Sequence, residues 1–166
     1  DCFNRAFNNP EKFGGYCAAL ASAGIALDES LVAVPPAEDG MYDAAPFGRY
    51  DVDASVHAAV DRFLDRSDPP TAIIGYDDGR ALPALQRLEA RGFQAGKNFS
   101  VAGFGDQAIR RGWHGGLTSS RIYPRIMGRL ALRAALERDR PREGRTIFVP
   151  TRLYIRRTTC PPPGSS

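Results

Sequence analysis

Two adjacent carboxylates, Asp77 and Asp78, follow an apolar run in the segment "TAIIGYDDGRALPAL", residues 71–85. The apolar residues 72–74 predict a short buried strand, and the residues after the acid pair predict a helix. An acid pair at this junction either caps the helix or forms the floor of a binding site. We predict that both apply, with Asp78 capping the helix and Asp77 turned towards a ligand.

A second group of candidate residues, Gly105 and Asp106, follows the next apolar run, "FSVAGF" (99–104). In α/β folds ligands bind at the carboxyl ends of the strands, so we expect these residues and Asp77 at one site. Carboxylate oxygens accept hydrogen bonds from hydroxyl groups, a lysine donates them, and an aromatic ring covers the apolar face of a sugar. This combination favours a neutral polyhydroxylated ligand.

Motifs of catalysis are missing from the sequence, which has no G-x-S-x-G, CxxC, phosphate-binding P-loop or HExxH. We therefore predict no catalytic residue, no metal and no cofactor. A Mg²⁺ site built from Asp77, Asp78 and Asp106 stays open as an alternative, because hard cations take carboxylate ligands. His57, among alanines on a helix, is predicted to be a surface or packed residue, and His114, next to Trp113 in a glycine-rich loop, is the better candidate of the two histidines for a ligand contact.

Helices and strands alternate along the chain, which predicts an α/β fold with a mostly parallel sheet flanked by helices. Gly24 and Gly92 are predicted to end the first and third helices. The predicted helices cover about 9–23, 53–65 and 79–90, and the predicted strands cover a run at 26–34, then 72–74, 99–104, 146–150 and 152–157. The long loop at 35–53 is predicted to be functional.

Four arginines recur every fourth residue, at Arg121, Arg125, Arg129 and Arg133. This spacing predicts one stripe along a fourth helix. The stripe is interpreted as a solvated face opposite apolar residues, with a phosphate-binding face as the alternative; the apolar residues are Ile122, Ile126, Leu130 and Ala134.

The composition of the 166 residues is that of an ordinary globular protein, with 43% hydrophobic and 25% charged residues. The net charge of +3 is too small to call for nucleic acid as a direct partner. No apolar stretch is long enough to cross a membrane, and the first residues lack a signal peptide. The three cysteines, an odd number, favour reduced thiols and a cytoplasmic location.

Five motifs in order resemble the C-terminal part of the effector-binding domain of LacI/GalR-type transcription repressors. They are "KFGGYCAALASAGI", "TAIIGYDDGRALPALQRLEARGF", "FSVAGFGD", "LTSSRIYPRIMG" and "PTRLYIRRTT". The resemblance covers about 12–159 and implies a periplasmic-binding-protein-like (type I) lobe. It also implies a homodimer, with the contact on the helix 79–90 and on the loop after Phe104. Leu82, Leu85 and Leu88 are either part of that contact or core residues.

The family's binding site transfers by position onto Lys12, Tyr50, Asp77, Gly105 and Ile122. Lys12 replaces an arginine that donates to sugar hydroxyls, and Asp77 replaces an asparagine. Gly105 falls where the family has its ligand-binding aspartate, so Asp77 or Asp106 must replace that group, or the ligand is less hydroxylated than a hexose. The predicted set is Lys12, Tyr16, Tyr50, Asp77, Gly105, Asp106, Trp113 and Ile122.

The function that the resemblance implies is the sensing of a small, sugar-like effector. Operator DNA would be bound only through a helix-turn-helix that this chain does not contain. The expected organisation is one effector-binding fragment over 1–159, of which 118–145 returns to the other lobe, and a disordered tail at 160–166. Two alternatives stay open: a sugar receptor of an ABC transporter with the same fold, and a Mg²⁺-dependent phosphoreceiver or enzyme that uses Asp77 and Asp78.

Overall fold

The structure is a computed structural model, which describes residues 10–33, 52–106, 116–137 and 145–162. The chain divides into two compact units, residues 1–70 and 71–166. The helices are α1 (Pro10–Ser22), α2 (Val52–Leu64), α3 (Asp78–Ala90) and α4 (Pro124–Leu136), and the strands are β1 (Ala72–Ile74), β2 (Ser100–Gly105), β3 (Thr118–Arg121) and β4 (Arg152–Tyr154).

The first unit contains helices α1 and α2, both within two residues of their predicted bounds. A short 3₁₀ helix, Glu29–Leu31, lies between them, so the strand predicted from the run at 26–34 is wrong for residues 26–33. Asp28 explains the difference, because its side chain accepts the Ser30 N–H and caps this helical turn. Arg66 then pairs with Asp28 at 2.8 Å and fixes the turn further.

The second unit contains one sheet in the order β1-β2-β3-β4. Strands β1, β2 and β3 run parallel, and β4 pairs antiparallel with β3. Helix α3 crosses between β1 and β2 and packs against both, as a βαβ unit requires. The predicted α/β class with a mostly parallel sheet is confirmed.

Two glycines allow helix α3 to lie close against the sheet. A Cβ atom at Gly75 would stand 2.6 Å from the backbone nitrogen of Ala81. A Cβ atom at Gly103 would stand 3.1 Å from the Cβ of Ala81. No larger residue fits at either position without a shift of the backbone, so these glycines set the distance between helix and sheet.

The core of the second unit lies between α3 and β2. Leu85, Leu88 and Val101 are almost fully buried there, and Phe99 meets Phe93 edge to face at 5.5 Å. Leu82 is also buried, at 8% exposed. The three leucines Leu82, Leu85 and Leu88 are therefore core residues, and the alternative that they supply a dimer contact is wrong.

Strand β3 was not predicted, because its sequence "TSSR" has neither the apolar content nor the alternation of a typical strand. Arg121 ends this strand and is not part of a helix, which corrects the predicted four-arginine stripe. Helix α4 begins at Pro124 and carries only the arginines Arg125, Arg129 and Arg133, all exposed. The predicted strand at 146–150 is also wrong, because these residues pair with no strand in the described part of the chain.

The segment after β4 closes the amino end of the sheet through Thr158. Its hydroxyl donates to the carbonyl of Val101 at 2.7 Å and accepts the N–H of Thr118 at 2.9 Å. Its carbonyl accepts the Val101 N–H at 2.7 Å. Further on, the N–H of Cys160 donates to Ser100 Oγ at 3.0 Å, and residues 163–166 lie outside the described residues.

Candidate functional site

Four of the predicted site residues lie at one edge of the sheet, where the three parallel strands end. Asp77 follows β1, Gly105 ends β2, Asp106 follows it, and Ile122 follows β3. The Ile122 N–H donates to the Gly105 carbonyl at 3.4 Å, which joins the ends of β2 and β3. We call this the carboxyl edge, and it is where α/β folds place their ligands.

Asp77 is the N-cap of helix α3. Its Oδ1 atom accepts the Arg80 N–H at 3.0 Å, and its Oδ2 atom accepts from Arg80 Nη1 at 2.8 Å. The prediction that Asp78 caps the helix is therefore wrong, because Asp77 makes the capping contact. Its side chain is still 39% exposed, so an oxygen can also be reached from solvent.

Asp78 turns inward instead and is only 6% exposed. Its Oδ1 atom accepts a 2.6 Å hydrogen bond from Ser119 Oγ on β3, and Ser119 in turn accepts the Asp106 N–H at 3.2 Å. The lack of a side chain at Gly103 makes room for Asp78, since a Cβ there would stand 2.6 Å from Asp78 Oδ1. This chain of hydrogen bonds ties α3, β3 and the end of β2 together.

The end of β2 turns sharply through two residues with positive φ, Gly105 at 115° and Asp106 at 47°. The turn directs the Asp106 side chain towards two arginines. Its Oδ2 atom accepts from Arg121 Nε at 2.6 Å and from Arg156 Nη2 at 3.0 Å. Asp106 is thus paired with two arginines of the chain. If it replaces the missing ligand aspartate, as predicted, the ligand has to compete with Arg121 and Arg156 for its carboxylate.

The charge of Asp106 is stabilised by these contacts. Burial of the carboxyl group acts to raise its pKa, but the hydrogen bonds and charges of Arg156 and Arg121 outweigh burial and lower the pKa below its ordinary value. The side chain of Asp106 is 6% exposed, and those of the two arginines are 22% and 21% exposed. The group is therefore a partly desolvated ion pair.

Tyr154 on β4 lies beneath three guanidinium groups. Arg121, Arg152 and Arg156 stand 4.1, 5.4 and 5.2 Å from its ring centroid. Sequence reasoning missed this group, although "RLYIR" carries the signal: residues 152, 154 and 156 alternate and so share one face of a strand. We call Arg121, Arg152 and Arg156 the arginine cluster.

The other predicted site residues belong to the first unit or lie outside the described residues. Lys12 and Tyr16 are half-buried on α1 in the first unit, where Tyr16 meets Phe13 at 6.1 Å and burial raises the pKa of Tyr16. Tyr50 and Trp113 lie outside the described residues, as does His114. His57 is half-buried on α2, and its Nε2 atom has no hydrogen-bond partner within the described structure.

The described residues bring together no group of three His, Cys, Asp or Glu side chains that could hold a metal ion. In the same part of the chain, no helix has the length and apolar character needed to cross a membrane. Cys17 and Cys160 are free thiols.

Comparison with known proteins gives consistent results. Residues 14–159 match the periplasmic binding protein-like domain family. The transcriptional repressor PurR of Vibrio atlanticus is 27% identical over 150 residues, which cover 89% of this chain and 41% of that protein. The regulator CelR of Thermobifida fusca is 28% identical over 148 residues, covering 88% and 39%. The chain thus spans about two fifths of the length of these relatives.

Solved structures give the same result. A CelR–cellobiose complex superimposes with a TM-score of 0.69 at 27% identity, covering 89% of this chain and 42% of that chain. A sugar-binding regulator of the LacI family from Escherichia coli gives 0.61 at 27% identity, covering 92% and 50%. The likeness to LacI-type regulators that the sequence predicted is confirmed by these matches, and the relatives are transcription regulators rather than enzymes.

Proposed function

We propose that this chain, which belongs to the periplasmic binding protein-like domain family, is the effector-sensing and dimerising part of a LacI-type transcriptional regulator. A small metabolite, sugar-like in its hydroxyl groups, would bind at the carboxyl edge and change the affinity of the whole protein for operator DNA. The mechanism is a population shift, in which the ligand favours one arrangement of the lobes. The protein acts in the cytoplasm, where a DNA-binding regulator must work.

The observation that carries this proposal is the gathering of Asp77, Gly105, Asp106 and Ile122 at one edge of a parallel sheet. The related regulator CelR was solved in complex with cellobiose, which supports a sugar as the first ligand class to test. We propose that Lys12 and Tyr50 also contact the effector, as the resemblance implies, and that Tyr16 and Trp113 do so too. A sugar receptor of a transporter has the same fold, but the curated relatives favour a regulator.

The expected return of 118–145 to the other lobe is wrong for residues 118–121, which form β3 of this sheet, and we propose instead that helix α4 packs on the other lobe of the whole protein. Helix α4 supports this, because none of its residues is buried in this chain. Ile126, Met127 and Leu132 are 37%, 49% and 60% exposed. A 13-residue amphipathic helix is marginal in water unless its apolar face is covered.

Titration of the ¹⁵N-labelled chain, followed by amide chemical shifts, tests the proposal. The probes are cellobiose, other neutral disaccharides and neutral monosaccharides. We expect one class of probe to shift the amides of Asp77, Gly105 and Ile122, even if weakly. The amides of Thr71, Ser100 and Leu117, at the amino ends of the same strands, serve as the internal control. Shifts confined to those amino ends would contradict the proposed site.

A Mg²⁺ titration of the same sample separates the metal-dependent alternative. Asp77 is engaged by Arg80 and Asp78 by Ser119, so we expect no saturable shift of either residue at millimolar Mg²⁺. A saturable response at these two residues would favour a phosphoreceiver or an enzyme.

A further inference from the structure

We propose that the effector carries a negatively charged oxyacid group, a carboxylate or a phosphate, which binds Arg152 and Arg121 at the carboxyl edge. The inference rests on the proposed function and narrows the class of effector. It differs from the expectation of a neutral sugar that the sequence alone supports.

The positions of the arginines are fixed by strand pairing. Arg121 and Arg152 lie directly opposite each other at the antiparallel pairing of β3 and β4. Like charges directly opposite each other in a sheet are destabilising. An anion held between the two guanidinium groups would offset that repulsion.

The charge balance around Tyr154 is uneven. Asp106 pairs with Arg121 and Arg156 through a single oxygen, Oδ2. Arg152 forms no ion pair with any residue of the described structure, and its contact there is with the Tyr154 ring. The arginine cluster therefore contains three positive charges and one matching carboxylate.

Hydrogen-bond donors around the cluster suit an oxyanion. Guanidinium groups bind carboxylates and phosphates through parallel N–H donors, and Arg is the residue suited to such planar recognition. Arg121 Nη1 also donates to the Tyr154 hydroxyl at 3.2 Å, which holds this guanidinium group in place. A preorganised donor loses less conformational entropy when it binds.

Gly105 favours the same class of ligand. It lies opposite Arg121 in the pairing of β2 with β3. Because it has no side chain, position 105 adds no second carboxylate to that of Asp106, which pairs with Arg121 and not with Arg152. Arg121 and Arg156 hold the loop through Asp106, but Arg121 keeps a second N–H on Nη1 and on Nη2, and Arg152 has no ion pair within the described structure.

Matched probes test this inference by titration of the ¹⁵N-labelled whole chain. The probes are glucose, glucose 6-phosphate, gluconate and inorganic phosphate. We expect glucose 6-phosphate, gluconate or both to bind about tenfold more tightly than glucose, with shifts at Gly105, Arg121 and Arg152. Preference for one of the two distinguishes a phosphate from a carboxylate. Raising NaCl from about 50 to 300 mM should weaken binding several-fold.

Two variants locate the binding group. Arg152→Gln should reduce the preference for the charged probe about tenfold, since it removes the charged guanidinium group and keeps a polar side chain. Arg129→Gln, an exposed arginine of α4, is the matched control and should leave the preference unchanged. An equal loss in both variants would mean that the anion binds the surface through general charge, and would overturn the inference.

Other outcomes separate this inference from the proposed function. Equal or tighter binding of glucose at Gly105 and Arg121 would overturn the anionic effector and leave the sensing function intact. Shifts caused by inorganic phosphate only along α4 would also overturn it. No response of the carboxyl edge to any neutral or charged probe would contradict both.

Discussion

Oγ of Ser119 donates a 2.6 Å hydrogen bond to Oδ1 of Asp78, and this contact joins helix α3 to strand β3. Both residues are buried, and the same serine oxygen accepts the N–H of Asp106. One hydroxyl group therefore links the ends of three elements that carry the candidate site.

Removal of that hydroxyl should be costly. In Ser119→Ala the buried Asp78 carboxylate loses its donor, and we expect the free energy of unfolding to fall by about 1–3 kcal/mol. Ser120→Ala, the neighbouring half-buried position, should cost less than about 0.5 kcal/mol. Urea unfolding followed by circular dichroism measures both. Equal losses of unfolding free energy would mean that the Asp78–Ser119 hydrogen bond makes no specific contribution to stability.

Gly103 should tolerate no side chain. In Gly103→Ala the new methyl group meets Asp78 Oδ1 and Ala81, so we expect a loss of about 1–3 kcal/mol. Gly128→Ala on the exposed helix α4 is the control, because nothing lies within 4 Å of its Cβ position. Alanine should stabilise that helix by up to about 1 kcal/mol. Thermal unfolding shows whether each substitution lowers or raises the stability. A Gly103→Ala protein as stable as the parent would contradict the close approach of α3 to β2.

Asp106 should make stability depend on pH in the acidic range. Its pKa is lower in the folded chain than in the unfolded chain. Its contribution is therefore fully present above the unfolded value of about 3.9 and is lost as the pH falls through the lower folded pKa. Asp106→Asn should be less stable than the parent at pH 7, and the difference should shrink below about pH 4.

Asparagine is the suitable replacement there, because it tolerates the positive φ of 47° at this position. Urea unfolding at several pH values between about 3 and 7 gives the result. A difference between parent and variant that stays constant over this range would show that the Asp106 charge does not stabilise the fold.

Burial of the α3 leucines can be tested against the exposed helix α4. Leu85→Ala should destabilise the chain by about 2–5 kcal/mol, because Leu85 is 1% exposed and its removal leaves a cavity. Leu132→Ala, at 60% exposed, should change the free energy of unfolding by less than about 0.5 kcal/mol. A large effect of Leu132→Ala in urea unfolding would mean that α4 is already packed in this chain.

The sequence predicted the elements whose periodicity and end signals agree. Helix α1 begins at Pro10, and α1, α3 and β2 lie within about one residue of their predicted bounds. Strand β3 was missed because pairing on both sides, rather than its own composition, makes it a strand. Arg121 even fitted the fourfold spacing of the helix that follows, so local periodicity was misleading at this position.

The site was predicted less completely than the fold. The sequence correctly predicted that Asp77, Gly105 and Asp106 lie at one edge of the sheet. Each of them lies at the end of a predicted strand or just after it, and the connection rules of α/β folds make those strands parallel. The cap of α3 was assigned to Asp78 and not to Asp77, because either residue could cap α3 by its spacing alone. The Asp106 contacts with Arg121 and Arg156 join residues 15 and 50 positions apart, and no local pattern encodes such pairs.

Thr158 has a consequence for the order in which the chain folds. Its hydroxyl and backbone join Val101 across 57 positions of sequence, and Thr118 across 40. Contacts of such long range form slowly, because the entropy of closing a large loop is lost before they contribute. We expect β1, α3 and β2 to assemble first, while the amides of Val101 and Thr118 stay unprotected from hydrogen exchange until the final segment has docked.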